Sequence, residues 1–138
     1  MKSRDTLIRL KRFQVDEKRR RVAQIEMMIA EFERVAVDLG REIAAEEHKA
    51  GISDPTHFAY PTYARAASQR RENLRQSAQN LHNQLSDAKA ELGEAFEELK
   101  KAEILDDRER STERAAESAR DQAALNQIGL QRAMRPTA

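Results

Sequence analysis

Apolar residues recur with a seven-residue period along the first third of the chain. One row of this repeat, its a positions, holds Ile8, Val15, Val22, Ile29, Ala36 and Ile43. Three positions further on, the d positions hold Lys18, Ile25, Phe32 and Leu39. This spacing puts both rows on one stripe of an α-helix, as in a coiled coil, and leaves charged residues on the other faces. The pattern predicts a first helix over about residues 4–49.

The dense cluster of helix-breaking residues comes next, at Gly51, Ser53, Asp54, Pro55 and Pro61. Ser53 or Asp54 can cap a short turn that Pro55 begins, and Pro61 suits the first turn of a following helix. We therefore predict a turn over about residues 50–60, a second helix over about 61–130 and a tail at 131–138. All of these are expected to form a single coiled-coil domain, 1–138.

The second helix carries two apolar rows of its own. One row is Ala67, Leu74, Leu81, Ala88, Ala95 and Ala102, and the other is Ala64, Arg71, Ala78, Leu85, Leu92 and Leu99. With only one short connection, the two stripes can meet as an antiparallel hairpin. The predicted fold class is all-α, two long helices in an antiparallel coiled coil, with the second helix longer than the first.

The register of the hairpin follows from where the turn lies. Paired residue numbers in an antiparallel coiled coil share a constant sum, and a sum of 110 centres the turn among the breakers and pairs large with small residues, such as Ile29 with Leu81 and Phe32 with Ala78. A sum of 117 packs nearly as well but needs a longer connection. In the first register, residues from about 108 to 130 form an overhang without a partner helix.

The sequence gives little support for a catalytic function. The histidines, His48, His57 and His82, are scattered, and there is no cysteine. A metal site in a helical bundle needs repeated Glu-x-x-His pairs, and a phosphate site needs a glycine-rich loop, and neither occurs. No apolar run approaches the length of about 18 residues that a membrane helix needs. We predict a protein that is not an enzyme and holds no cofactor or metal.

Charge is segregated although it nearly cancels over the whole chain. Residues 2–21 hold nine basic and three acidic residues, whereas residues 103–121 hold seven acidic residues and four arginines. Two interpretations stay open: the neighbouring stretches support each other electrostatically, or basic residues 9–21 recognise an acidic protein surface. Nucleic acid is disfavoured, because acidic residues lie alongside and Phe13 is the single aromatic residue within the stretch. Lys11 and Lys18, at core positions opposite Leu99 and Leu92, are expected to send their ammonium groups to water.

The aromatic residues near the turn, Phe58, Tyr60 and Tyr63, also allow two interpretations. They plug the turn, or they form an exposed patch for a partner, since rigid aromatic side chains anchor interfaces well.

These residues together resemble the FliJ family of flagellar export proteins. The likeness rests on a basic first helix that opens near residue 4 and on the step Tyr60-Pro61-Thr62-Tyr63 before the second helix. It also rests on the tail Leu125-Asn126-Gln127-Ile128-Gly129 with Arg132, where Asn126 and Gln127 replace acids that are more frequent in the family.

The resemblance implies a cytoplasmic coiled coil at the inner-membrane face of the flagellar base, similar to the stalk subunit of rotary ATPases. It implies type III export, and hence motility and chemotaxis, with the hexameric export ATPase, the membrane export gate protein and export chaperones as partners. The ATPase ring would be contacted by Arg9, Arg12, Arg19, Arg20, Leu125 and Ile128. The export gate or chaperones would be contacted by Tyr63, Ala67 and Leu74, on a face that also includes Arg70.

Two other functions fit the same pattern. One is a structural coiled-coil protein that oligomerises through its C-terminal overhang. The other is a chaperone or escort of an unrelated secretion system.

Overall fold

The structure, a computed structural model, describes residues 3–134. It contains two α-helices, α1 (Ser3–Ala50) and α2 (Thr62–Ala133), and no strand within the described residues. The all-α hairpin with a longer second helix is confirmed. Helix α2 continues to Ala133, three residues past its predicted end. The rest of the predicted tail, residues 135–138, lies outside the described residues.

Gly51 ends α1 because it adopts a positive φ of 71°, a conformation that costs other residues energy. The backbone N–H of Gly51 donates to the carbonyl of His48 at 3.3 Å, and that of Ile52 donates to Glu47 at 3.2 Å. These two bonds form a Schellman cap, which satisfies carbonyls that the end of the helix leaves free.

Asp54 and Pro61 organise the rest of the turn. The carboxylate of Asp54 accepts hydrogen bonds from the backbone N–H and the hydroxyl of Thr56, at 2.9 and 2.7 Å, and these bonds lower the pKa of Asp54. The carbonyl of Pro61 accepts the N–H of Arg65 at 3.1 Å. Pro61 therefore caps α2, one residue before the helix begins.

The helix pair divides into two compact units. The first, which we call the turn unit, comprises residues 13–95, and the second, the terminal unit, comprises described residues 3–12 and 96–134. Assignment of the whole chain to one domain stays a prediction.

The turn unit has an apolar core built from the predicted rows. One cluster contains Val22, Ile25, Ile29, Leu81 and Ala88, with Phe32, Leu85 and Leu92 packed against it. A second cluster, nearer the turn, contains Leu39, Ile43, Tyr60, Ala64 and Ala67, with Val35 and Leu74 packed against it. Large residues of α1 meet alanines and leucines of α2, and the alanines permit close packing.

The core of the terminal unit is smaller and partly ionic. Ile8 and Ala102 are buried, and so is the carboxylate-bearing residue Asp106. Asp106 continues the row that contains Leu92 and Leu99, and it faces Arg4, which lies at a d position of α1. Arg4 Nε lies 2.9 Å from Asp106 Oδ1. Neither atom completes a hydrogen bond, so the contact is ionic.

Ion pairs between the helices report the register inside each unit. In the turn unit Lys18 pairs with Glu91, and in the terminal unit Lys11 pairs with Glu98 and Arg4 with Asp106. The residue numbers of these pairs add to 109, 109 and 110. They agree with the predicted sum of 110, whereas a sum of 117 would place Lys11 level with Asp106.

Candidate partner-binding surfaces

Arg4 forms ion pairs with three carboxylates of the terminal unit. Besides Asp106, its guanidinium donates to Glu109 and to both carboxylate oxygens of Glu113, each at 3.0 Å. The hydrogen bonds to Glu113 and Glu109 raise the pKa of Arg4 further above its ordinary value. Arg110 extends this network, because it donates to Asp106 at 2.9 Å and to Asp5 at 3.0 Å. For these residues, mutual electrostatic support is the correct interpretation.

The lysines at core positions also form ion pairs with α2. Lys11 Nζ lies 2.6 Å from Glu98, and Lys18 Nζ lies 2.9 Å from Glu91. Both side chains are partly exposed, as the prediction requires, and each ammonium group also pairs with the glutamate of α2 that lies next to the facing leucine. The hydrogen bond from Lys11 lowers the pKa of Glu98.

The predicted ATPase-facing arginines differ from Arg4. In the terminal unit Arg9 and Arg12 are exposed, and neither forms an ion pair with any residue of 3–134. In the turn unit Arg19 and Arg20 are exposed and lie 3.9 and 3.4 Å from Asp16 and Glu17 of their own helix. Exposed pairs of this kind contribute little stability. All four arginine side chains thus lie at the surface.

The overhang begins later than the sequence predicted. Residues 109, 110 and 113 were expected to lack partners in α1, but all three form ion pairs with Arg4 or Asp5, because the arginine side chains are long. From residue 114 to 134 every described residue is exposed. Leu125 and Ile128, the predicted ring contacts, are 63% and 47% exposed. Leu125 and Ile128 thus present apolar surface to solvent.

The three aromatic residues near the turn divide between the two interpretations. Tyr60 is buried and donates its hydroxyl to Glu47 at 3.1 Å, and burial raises its pKa. Phe58 is 95% exposed and stacks on the ring of His57, with centroids 4.8 Å apart. Tyr60 plugs the turn, whereas Phe58 is open to solvent.

The predicted gate-facing residues differ in exposure. Tyr63 is 53% exposed and donates its hydroxyl to Glu42 at 2.6 Å, a hydrogen bond that raises the pKa of Tyr63. Leu74 is half-buried, and Ala67 is buried in the second core cluster. Arg70, on the same face, is exposed. Of the three predicted contacts, Tyr63 is the one that presents a large side chain to solvent.

Sequence reasoning missed a groove in the turn unit. The groove has a volume of about 460 Å³, and its lining includes Phe32, Val37, Gly40, Arg71 and Arg75. Gly40 makes room for Arg71, since a Cβ atom at Gly40 would lie 3.3 Å from Arg71 Nη1. The sequence feature that could have indicated the groove is an arginine at a core position of α2 that faces a glycine within α1.

Within residues 3–134 no group of acidic and histidine side chains is arranged to hold a metal ion. Neither described helix is apolar enough over a sufficient length to cross a membrane.

Comparison with known proteins assigns the chain to a family. The family model described as flagellar FliJ protein matches residues 1–138, the whole chain. The chain belongs to the FliJ family. No curated protein and no solved structure matches it. FliJ proteins are non-enzymatic accessories with a role in flagellar export, and they act within the flagellar export apparatus.

Proposed function

We propose that this FliJ-family chain is a stalk-like accessory of the flagellar type III export ATPase. In this role it promotes assembly and activity of the hexameric ATPase ring and links the ring to the membrane export gate protein and to export chaperones. It acts in the cytoplasm at the inner-membrane face of the flagellar base, and motility and chemotaxis depend on it. Family membership supports the export role, and the surfaces described above suggest which residues carry it.

The observation that favours ring binding is the contrast between Arg4 and its neighbours. Arg4 is surrounded by three carboxylates, whereas Arg9 and Arg12 are exposed and have no ion pair within residues 3–134. A guanidinium presents a rigid fork of donors that suits carboxylates of a protein surface. We assign Arg9, Arg12, Arg19 and Arg20 to acidic groups of the ring, and Leu125 and Ile128 to its apolar surface.

The surface proposed for the export gate or chaperones is centred on Tyr63. Its ring is half exposed, while the hydrogen bond to Glu42 holds the side chain in one orientation. An ordered aromatic side chain loses little entropy on binding, which makes it a good anchor. Leu74 adds apolar surface about three turns further along the same helix, and buried Ala67 keeps the two helices close between them.

The test is the ATP turnover of the flagellar export ATPase, measured with and without this chain, together with a count of hexamers by electron microscopy. We expect the wild-type chain to raise both, and Arg9→Glu with Arg12→Glu to abolish the increase. The matched control is Lys89→Glu with Lys100→Glu, which changes the net charge equally at exposed positions of α2. Stimulation that survives the arginine reversals would rule out this ring-binding surface.

A further inference from the structure

Arg71 differs from the other cations at core positions of the hairpin. Arg4, Lys11 and Lys18 each face a carboxylate of the opposite helix. Arg71 is half-buried, yet it forms no ion pair or hydrogen bond with residues 3–134, and the facing residue is Gly40. Its guanidinium therefore carries donor groups at the groove that no carboxylate of the described residues accepts, and a carboxylate from outside the chain can pair with them.

The groove around Arg71 defines what that partner carries. Arg75, one helical turn further along α2, is exposed and also lacks an ion pair within the described residues. Beyond it the lining includes the apolar residues Phe32 and Ala78 together with Gln79 and His82. The acid in the lining, Glu33, lies 3.4 Å from His82 at the far end. A helix that fits this groove has two acidic residues one turn apart, followed by apolar residues.

The overhang of this same chain has that composition on one face. Glu117, Asp121, Leu125 and Ile128 follow each other at spacings of four, four and three residues, which places them on one side of a helix. All four are exposed. Glu117 and Asp121 form no ion pair within residues 3–134, so both carboxylates are available.

The two surfaces also agree in length. Arg71 and Arg75 are four residues apart, as are Glu117 and Asp121. Eleven residues separate Arg71 from His82, and eleven separate Glu117 from Ile128, which is roughly 16 Å along a helix in each case. A helix laid parallel to α2 with Glu117 beside Arg71 thus brings Asp121 beside Arg75. It brings Leu125 level with Gln79, next to Ala78, and Ile128 level with His82.

We propose that the overhang of one copy of this chain binds in the groove of a second copy, with Glu117 and Asp121 paired to Arg71 and Arg75. The interface is heterologous, because groove and overhang are different surfaces. It is also small, which limits it to weak and reversible association. An overhang bound in this way is not available to another partner, so self-association competes with any other use of Leu125 and Ile128. The proposal does not depend on the function proposed above.

Sedimentation equilibrium of the full-length chain over a range of concentrations tests this interface. We expect the average mass of the wild type to rise with concentration and the rise to weaken in high salt. Arg71→Glu with Arg75→Glu should weaken association at least about tenfold, and so should Glu117→Arg with Asp121→Arg. An equimolar mixture of the two variants should associate again. The reversed groove of the first variant then accepts the reversed overhang of the second, and the unchanged groove of the second accepts the unchanged overhang of the first.

Two control variants make the same charge changes elsewhere on α2. Lys100→Glu with Lys101→Glu, and Glu94→Arg with Glu97→Arg, alter exposed residues outside both surfaces and should associate like the wild type. Circular dichroism checks that every variant remains helical. A wild type that stays monomeric at all concentrations overturns the proposal. A helical mixture that fails to associate overturns it as well.

Discussion

The two units use the same seven-residue repeat but fill its core differently. In the turn unit, the d position at residue 25 is an isoleucine that is 1% exposed, and it packs among Val22, Ile29 and Leu81. In the terminal unit the d positions are Arg4 and Lys11, and each meets a carboxylate of α2. The repeat thus fixes which residues face each other, whereas the side chains decide what force holds them.

The difference matters because the two forces respond differently to conditions. Burial of apolar surface stabilises by about 25 cal/mol for each Å² removed from water and hardly depends on salt. Partly exposed ion pairs contribute little to stability. They weaken further when salt screens the charges or when acid neutralises the carboxylates. We therefore expect the terminal unit to open more easily than the turn unit. A section of the hairpin that opens under mild conditions suits a region that binds partners.

The largest expected effect comes from truncating the apolar core of the turn unit. Ile25→Ala should reduce the free energy of unfolding by about 2–5 kcal/mol, because it leaves a cavity in a closely packed cluster. Ile8→Ala in the terminal unit should cost less, since Ile8 is 9% exposed and its layer contains the small residue Ala102. Urea unfolding followed by circular dichroism measures both.

Met27→Ala provides the control for this pair of variants. Met27 lies on α1 but is 73% exposed, so its truncation should change stability by less than about 0.5 kcal/mol. If Ile8→Ala cost as much as Ile25→Ala, the contrast between an apolar and an ionic unit would be wrong.

The next effect concerns the ionic layer itself. Asp106→Leu leaves the Arg4 guanidinium at a core position without the carboxylate that faces it, and we expect the terminal unit to open more often. Arg4→Leu combined with Asp106→Leu should reverse the loss, because an apolar layer often replaces a buried ion pair without cost. Amide hydrogen exchange across residues 3–12 and 96–110 reports on this opening. The turn unit serves as the internal reference, and a double variant that exchanges as fast as the single one would contradict the prediction.

The apolar rows were predictable from the sequence because burial follows the helical period so strictly. Every predicted a position from Ile8 to Ile43 is buried, and Gly51 with Pro61 marked the ends of the helices. The position of the turn was enough to choose the register, since one short connection allows little choice of how the helices pair.

The ionic contacts and the groove could not be predicted in the same way. A heptad pattern does not specify side-chain conformations. It therefore could not show whether Lys11 reaches water or Glu98, or whether Arg4 reaches as far as Glu113. The groove arises where Gly40 removes a side chain opposite Arg71, a property of a pair of residues rather than of either row. The arginines proposed to bind the ATPase ring were chosen by resemblance, and their role stays a prediction.

The smallest effect is the pH dependence of the ion pair between Lys11 and Glu98. The hydrogen bond from Lys11 lowers the pKa of Glu98 below its ordinary value of 4.5. A carboxylate whose pKa is lower in the folded state stabilises that state above its unfolded pKa, and this contribution is lost as the pH falls through the folded pKa. Hydrogen exchange in the terminal unit should therefore accelerate, relative to the turn unit, on going from neutral pH to a pH below 4.5. Glu98→Gln should reduce this acceleration, whereas Glu97→Gln, at an exposed neighbour without an ion pair within the described residues, should not. Equal responses of the two variants would show that Lys11 and Glu98 do not contribute to holding the terminal unit closed.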